Sequence, residues 1–380
     1  MYEVLEFRDP AWAGRTTAAM ARFAEEHRDV LEDATRACRF PADIYREMGR
    51  RGWVGSITPS SWGGAGGGAA EYCLIGEEVG RHGLVSPQIS VQGQRWLLDW
   101  GSEEQQQRWL GPLATGEAVF SESISEPGMG SSFKQMRTTA RRDGDDWVIT
   151  GSKTHVNLGA QSDVTLVYAI ADEGLTSLLV PMDELGITAG QTEPIGLRLI
   201  PTADIEFDAV RVPGDALLGD PGQGLQTFLS TFNLSRLGNA SELIGFARRG
   251  LVEATDYARA REVGDQVVTD FQGIQWTLAD AYASLYAAAL ARDHAANQID
   301  RDQDPSVPTT LAKQLAIEAA EFAGNEVFAL VGGHGLYRTE IYAQLLDDIK
   351  VLRIAGGSRE ILRNHLAKSL LKDPDLRGLR

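Results

Sequence analysis

Residues 332–362 read GGHGLYRTEIYAQLLDDIKVLRIAGGSREIL, and this stretch decides the fold. It opens on a glycine turn (Gly332, Gly333, Gly335), runs through an amphipathic segment, meets Gly356 and Gly357, and restarts at Ser358. Ser358 is a good helix N-cap, Glu360 suits the first turn, and Lys368 and Lys372 suit the far end of the helix dipole. GGHG follows a helical run rather than a strand, so it is not a dinucleotide-binding fingerprint. Capping accounts for Ser358 and one glycine, and it leaves Gly356 unexplained.

Upstream, the alanine-rich runs LADAYASLYAAALARDHAA and LAKQLAIEAAEFAGNEVFALV predict long, closely packed helices, and from GQGLQTF at 222 onward no strand is expected. Before them the pattern is β. TTARRDGDDWVITGSK predicts a hairpin about an Asp-Gly-Asp turn, and SDVTLVYAIA, TSLLVPM and TADIEFDAVRVP are short β-rich runs bounded by Gly, Pro and Asp. The first hundred residues read as helices, interrupted by the glycine loop TPSSWGGAGGG, where regular structure is not expected. The order is α, β, α, with units at 1–117, 118–221 and 222–380.

The chain has 380 residues, is 43% hydrophobic and carries a net charge of −17. It can bury a large core, and its surface repels nucleic-acid phosphate and anionic lipid. Cys38 and Cys73 stand in no ligand or disulfide pattern, so neither a structural metal nor a disulfide framework is expected. No apolar run reaches the roughly 18 residues of a membrane span, and MYEVLEFRDP places charges where a signal peptide would be apolar. A cytoplasmic protein is expected, with no nucleic-acid or membrane partner.

SISEPGMGSS (123–132) clusters hydroxyls and glycines where backbone N–H groups can meet a polar ligand. GSKTHVNLGAQSDVTLVYA sets His155 and Asn157 at or beside a strand end, with no metal-ligand spacing around them. Together with YARAREVGDQVVTDFQGIQ, FPADIYREMGRRGWVG, PSSWGGAGGG and the 332–362 stretch, these motifs resemble the acyl-CoA dehydrogenase family over nearly the whole chain. The resemblance implies an α+β fold: an N-terminal helical domain, a middle β-sandwich or barrel domain, and a C-terminal four-helix bundle. It implies FAD as cofactor and an acyl thioester, on CoA or a carrier protein, as substrate, in a homotetramer or homodimer.

Position by position, the resemblance places Ser123, Ser125, Gly130 and Ser131 along flavin or thioester and His155, Val156 and Asn157 against the isoalloxazine. Arg261, Gln272, Gly332 and Gly333 would reach a neighbour's FAD, and Ser358 and Glu360 would close over the cofactor. Ser131, Asn233, Arg236 and Gly357 would meet the substrate. A diphosphate also favours a fixed fork of N–H donors such as that of Arg261.

The family's chemistry needs a carboxylate to take the α-proton. The two positions where the family carries it are Gly356 and Ser235 here, so the catalytic base is unassigned, with Glu242 as a candidate on the same helical run as Arg236. Losing a positioned base costs roughly 10²–10⁴-fold. The expectation is an oxidoreductase on an unusual acyl thioester. The alternatives are a flavin-dependent monooxygenase or N-oxygenase on the same fold, and a FAD-binding, non-catalytic partner subunit. Ala355 is expected to leave room for a glutamate introduced at position 356.

Overall fold

A computed structural model describes residues 4–337, 340–373 and 375. Six helices form the N-terminal layer: α1 (Pro10–Glu26), α2 (Arg28–Arg36), α3 (Ala42–Arg50), α4 (Ala69–His82), α5 (Gln88–Trp100) and α6 (Glu103–Ala114). Their starts follow local chemistry. Asp9 caps α1 by accepting from Ala11 N, and Ser102 with Gln105 forms a capping box on α6. The glycine loop before α4 contains a single 3₁₀ turn, Ser60–Trp62.

The middle of the chain is one curled seven-stranded sheet. Its strands are β1 (Phe120–Ser123), β2 (Thr139–Asp143), β3 (Asp146–Asn157), β4 (Val164–Ala171), β5 (Gly174–Pro181), β6 (Ile187–Thr192) and β7 (Thr202–Val212). They lie in the order β1-β4-β2-β3-β7-β6, with β5 paired to β4. The Asp-Gly-Asp hairpin forms as expected, Asp143 opposite Asp146 with Gly144 at φ +65°. Trp147, Ile149, Ala203, Ile205, Phe207 and Val210 bury one face of this sheet.

Helices return with α7 (Gly224–Ser230), α8 (Phe232–Ala260), α9 (Gln272–Asp300), α10 (Ser306–Val331), α11 (Ile341–Ile354) and α12 (Arg359–Lys372). The expectation that strands end at 222 is corrected by a small hairpin, β8 (Glu262–Val263) with β9 (Gln266–Val267), between α8 and α9. Gly264, at φ +63°, supplies its turn, and two-residue strands leave almost no alternation in the sequence to detect.

α8, α9, α10 and α11 bury a shared core of Ala240, Leu243, Ala288, Ala316, Ile317, Ala320, Leu345 and Leu352. α4 lies so close to α8 that a Cβ on Gly80 would come within 2.5 Å of Glu242 O. A buried ion cluster locks this junction. Arg292 Nη1 donates to Glu77 Oε2 at 2.8 Å, Arg248 donates to Glu77 Oε1, and Arg292 Nε donates to Asp293 at 2.6 Å. Burial alone would raise the Glu77 pKa, but Arg292 and Arg248 hold it below the usual carboxylate value.

Candidate active site

The SISEPGMGSS loop is fixed from its middle. Glu126 accepts from Arg137 N at 2.6 Å, Thr138 N at 3.0 Å and Lys153 Nζ at 2.9 Å, and Lys153 also donates to Ile124 O at 3.1 Å. Burial lowers the Lys153 pKa to about 8 against the opposing pull of Glu126. Thr154 N donates to Ser125 O at 2.9 Å, so loop and strand β3 are tied side by side. At the next residue the β3–β7 register breaks and His155 adopts φ +57°, a strained conformation for a side-chain-bearing residue. The break leaves His155 exposed beside the loop that carries Ser125, Gly130 and Ser131.

Two of the expected cofactor residues face elsewhere. Ser123 is fully buried and pairs with Thr165 Oγ1 at 2.8 Å, and Val156 lies in the sheet core, so neither side chain is turned toward a ligand. The alternation of strands β1 and β3 sets both directions. Ser131 is exposed, Asn157 half-buried, and a Cβ added at Gly130 would meet open space.

A ladder of rings carries the loop across to the helices. Phe133 lies 5.1 Å from Phe228, and Phe228 lies 5.1 Å from Phe232. The Arg236 guanidinium sits 4.4 Å over the Phe232 ring, and a Cβ on Gly357 would meet that ring at 3.3 Å. The first turns of α8 and the 355–357 loop therefore form one wall. Asn233 accepts from Thr309 at 2.9 Å and Arg236 Nη1 donates to Thr310 at 2.9 Å.

Gly356, at φ +65°, turns its missing side chain toward α8 and α10. A Cβ there would overlap Asn239 Nδ2 and come within 3.0 Å of Ser235 Oγ and 3.3 Å of Lys313 Nζ. Ser235 and Gly356, the two positions expected from the resemblance to carry a base, are thus neighbours, and neither is a carboxylate. The expectation of space at 356 is corrected: Asn239, which donates to Ala355 O at 3.1 Å, fills it. Lys313 is wholly buried and donates to Ala355 O and, at 2.9 Å, to Gly357 O. Burial, with Arg236 adding, pushes its pKa down to about 7.

Glu242 lies on another face of α8. Ser86 donates to it, burial raises its pKa to about 7, and it shares a small cavity with Arg249 and Asp348 rather than the 355–357 loop. Ser358 caps α12 by accepting from Ile361 N at 3.5 Å, and Glu360 is exposed one turn on.

Arg261, Gln272, Gly332 and Gly333 are exposed at the opposite end of the bundle. Tyr257, four residues before Arg261, meets His334 edge-on at 5.1 Å and joins α8 to the glycine turn. Along α8, Arg261 is roughly 39 Å from Ser235 at 1.5 Å per residue.

A helical layer, a curled sheet and a helical bundle meet beside an exposed polar loop. Three family models match consecutively: the acyl-CoA dehydrogenase N-terminal domain over residues 15–117, the middle domain over 121–210 and the C-terminal domain over 222–371. The chain belongs to the acyl-CoA dehydrogenase family, whose members are FAD-dependent enzymes.

It is 31% identical to a 3-(aryl)acrylate reductase of Clostridium sporogenes over 363 residues, covering 92% of this chain and 96% of that one. It is 34% identical to the human mitochondrial short-chain specific acyl-CoA dehydrogenase over 345 residues, covering 88% of this chain and 83% of the other. The structure of a glutaryl-CoA dehydrogenase from Mycobacterium smegmatis in complex with FADH2 superposes with a TM-score of 0.87 at 28% identity, covering 94% of this chain and 95% of that one. No helix among the described residues is long and apolar enough to cross a membrane.

Proposed function

We propose that this protein is a FAD-dependent oxidoreductase acting on an acyl thioester, on CoA or a carrier protein, other than a simple straight-chain acyl-CoA. One observation carries the substrate half of this reading. Ser235 and Gly356 adjoin without a carboxylate, and an amide and an ammonium group, Asn239 and Lys313, occupy that corner. The residues fit FAD. Gly130, Gly332 and Gly333 offer backbone with open space where a Cβ would stand, and His155 and Ser131 are exposed beside the loop. When bound, FAD would supply a hydride acceptor for oxidation of the acyl group, and the chain's residues would have to position the substrate and take up its α-proton.

The chain's own residues would act in two places. Ser125, Gly130, Ser131, His155 and Asn157 would hold the isoalloxazine end, and Arg236 and Gly357 would border the thioester. Arg261, Gln272, Gly332 and Gly333 lie at the far end of the bundle from that site, so they would reach the cofactor of a neighbouring copy. The exposed rings on α9, with Trp276 and Tyr282 each 61% exposed, support assembly into a homo-oligomer.

The test is anaerobic reduction of the bound flavin by a panel of acyl thioesters, presented on CoA and on a carrier protein. Bleaching by a substituted acyl thioester and slow bleaching by butyryl-CoA are expected. Rapid bleaching by butyryl-CoA would overturn the reading. Reductase-dependent oxygen uptake without thioester oxidation would replace it with a monooxygenase.

A further inference from the structure

Arg236 and Lys313 are cations on neighbouring helices, 95% and fully buried, in a chain with a net charge of −17. Buried charges are ordinarily paired, and the other buried cations obey that rule: Lys153 has Glu126, and Arg292 and Arg248 have Glu77. Around Arg236 and Lys313 the hydrogen-bond partners are neutral. Arg236 donates to the Thr310 hydroxyl and lies over Phe232, and its Nε is buried without a partner. Among the described residues, Lys313 donates only to the carbonyls of Ala355 and Gly357. The one charge that acts appreciably on Lys313 is Arg236, another cation, and burial alone lowers the Arg236 pKa to about 10.

Resting on the reading that the substrate is an acyl thioester, we propose that this corner binds a carboxylate carried by the substrate's acyl group. The substrate is then the monothioester of a dicarboxylic acid. The three side-chain atoms nearest the place of a Cβ at 356 can all donate to such a group: the Ser235 hydroxyl, the Asn239 amide and the Lys313 ammonium. The guanidinium fork suits the two oxygens of a carboxylate. Gly356 and Gly357 keep the loop free of side chains, which leaves the anion to arrive from outside the fold. The substrate's charge would stand beside Gly356, at the donors that meet there, rather than in the space that Asn239 fills. The departure at Gly356 and the unpaired cations then have one cause.

The experiment is isothermal titration of the FAD-loaded protein with succinyl-CoA, butyryl-CoA and free succinate. Succinyl-CoA is expected to bind more tightly than butyryl-CoA by roughly tenfold or more, the scale of one charge-assisted hydrogen bond. Free succinate should bind far more weakly than succinyl-CoA. Lys313→Met should erase the preference. Because that change also releases the 355–357 loop, Ser235→Glu is the second variant. It puts a carboxylate on the chain beside Arg236 and should erase the preference by competing for the cations. Equal binding of the two thioesters by the wild type, or a preference intact in both variants, would overturn the inference alone. Free succinate binding as tightly as succinyl-CoA would overturn it too. Failure of both CoA thioesters to bind would overturn this inference and confine the functional reading to a carrier-protein thioester.

Discussion

Asn239 stands where a side chain at position 356 would begin. Its Nδ2 overlaps the place of a Cβ on Gly356 and donates to the carbonyl of Ala355, one residue earlier. The amide therefore excludes a side chain from the loop and also pins the loop.

Gly356→Glu alone is expected to give no gain in anaerobic flavin reduction by butyryl-CoA. The residue sits at φ +65°, where any L side chain adds roughly 1–2 kcal/mol of strain, and the new Cβ meets Asn239. Adding Asn239→Ala removes the overlap and should recover both melting temperature and some bleaching. Fast bleaching in the single variant would show that Asn239 yields easily.

Ser235→Glu is the less costly way to restore a base. Ser235 is helical and half-buried, and its Oγ lies 3.0 Å from the place of a Cβ at 356. Flavin reduction by butyryl-CoA should rise by roughly 10²–10⁴-fold, the usual worth of a positioned base. An FAD-loaded variant with the wild-type rate would mean that the thioester does not lie along this wall.

Arg261→Ala should lower FAD occupancy, read as the ratio of flavin to protein absorbance after purification. Losing a charge-assisted contact to a diphosphate weakens binding by roughly tenfold or more. Arg261 is exposed at the end of α8, so the change should leave the fold of the chain intact. Unchanged occupancy would remove it from the cofactor site.

The order of elements was legible because periodicity changes sharply, from the helical AEYCLIGEEVGRHG to the alternating TADIEFDAVRVP. The neighbourhood of Gly356 was only half legible. Ser235 and Gly356 could be marked as positions without a base, but what replaces one arrives from other elements. Lys313 did leave a trace. On α10 it shares the buried stripe of Thr309, Ala312, Ala316, Ile317 and Ala320, a position that would ordinarily be apolar. Asn239 left none, since polar residues occur on long helices without consequence. The Glu126–Lys153 pair was hidden because its partners are 27 residues apart and meet only once β3 is formed.

Glu77→Gln is expected to destabilise the protein by about 3–5 kcal/mol, the cost of leaving buried charges unpaired. Glu77 pairs with Arg248 and shares Arg292 with Asp293, at the junction of α4, α8 and α9. Urea unfolding at pH 7 is the measurement. A loss below about 1 kcal/mol would mean that water reaches this junction.

Stability should also fall as pH rises from about 4.5 to 7, through Glu242 and Asp348. Burial pushes each up to about 7, against the opposing hydrogen bonds of Ser86 and Gln88 to Glu242 and of Leu197 N to Asp348. Arg249 also lowers Asp348, while Asp347 raises it. In the unfolded chain both titrate near 4. Within the window the native state keeps protons that the unfolded state has lost, so their contribution is full below about 4 and gone above about 7. Each group adds at most about 1.4 kcal/mol per pH unit. Glu122 on β1, pushed up to about 8 by burial, adds in the same direction. Glu77 titrates below this window, because its arginines hold it down, and Lys313 acts above it. Glu242→Gln and Asp348→Asn keep a neutral polar group in place. The double variant should therefore flatten the slope of urea midpoint against pH between 5 and 7, and be more stable than the wild type at pH 8. Parallel slopes for the variant and the wild type would mean that both carboxylates are already ionised at pH 5.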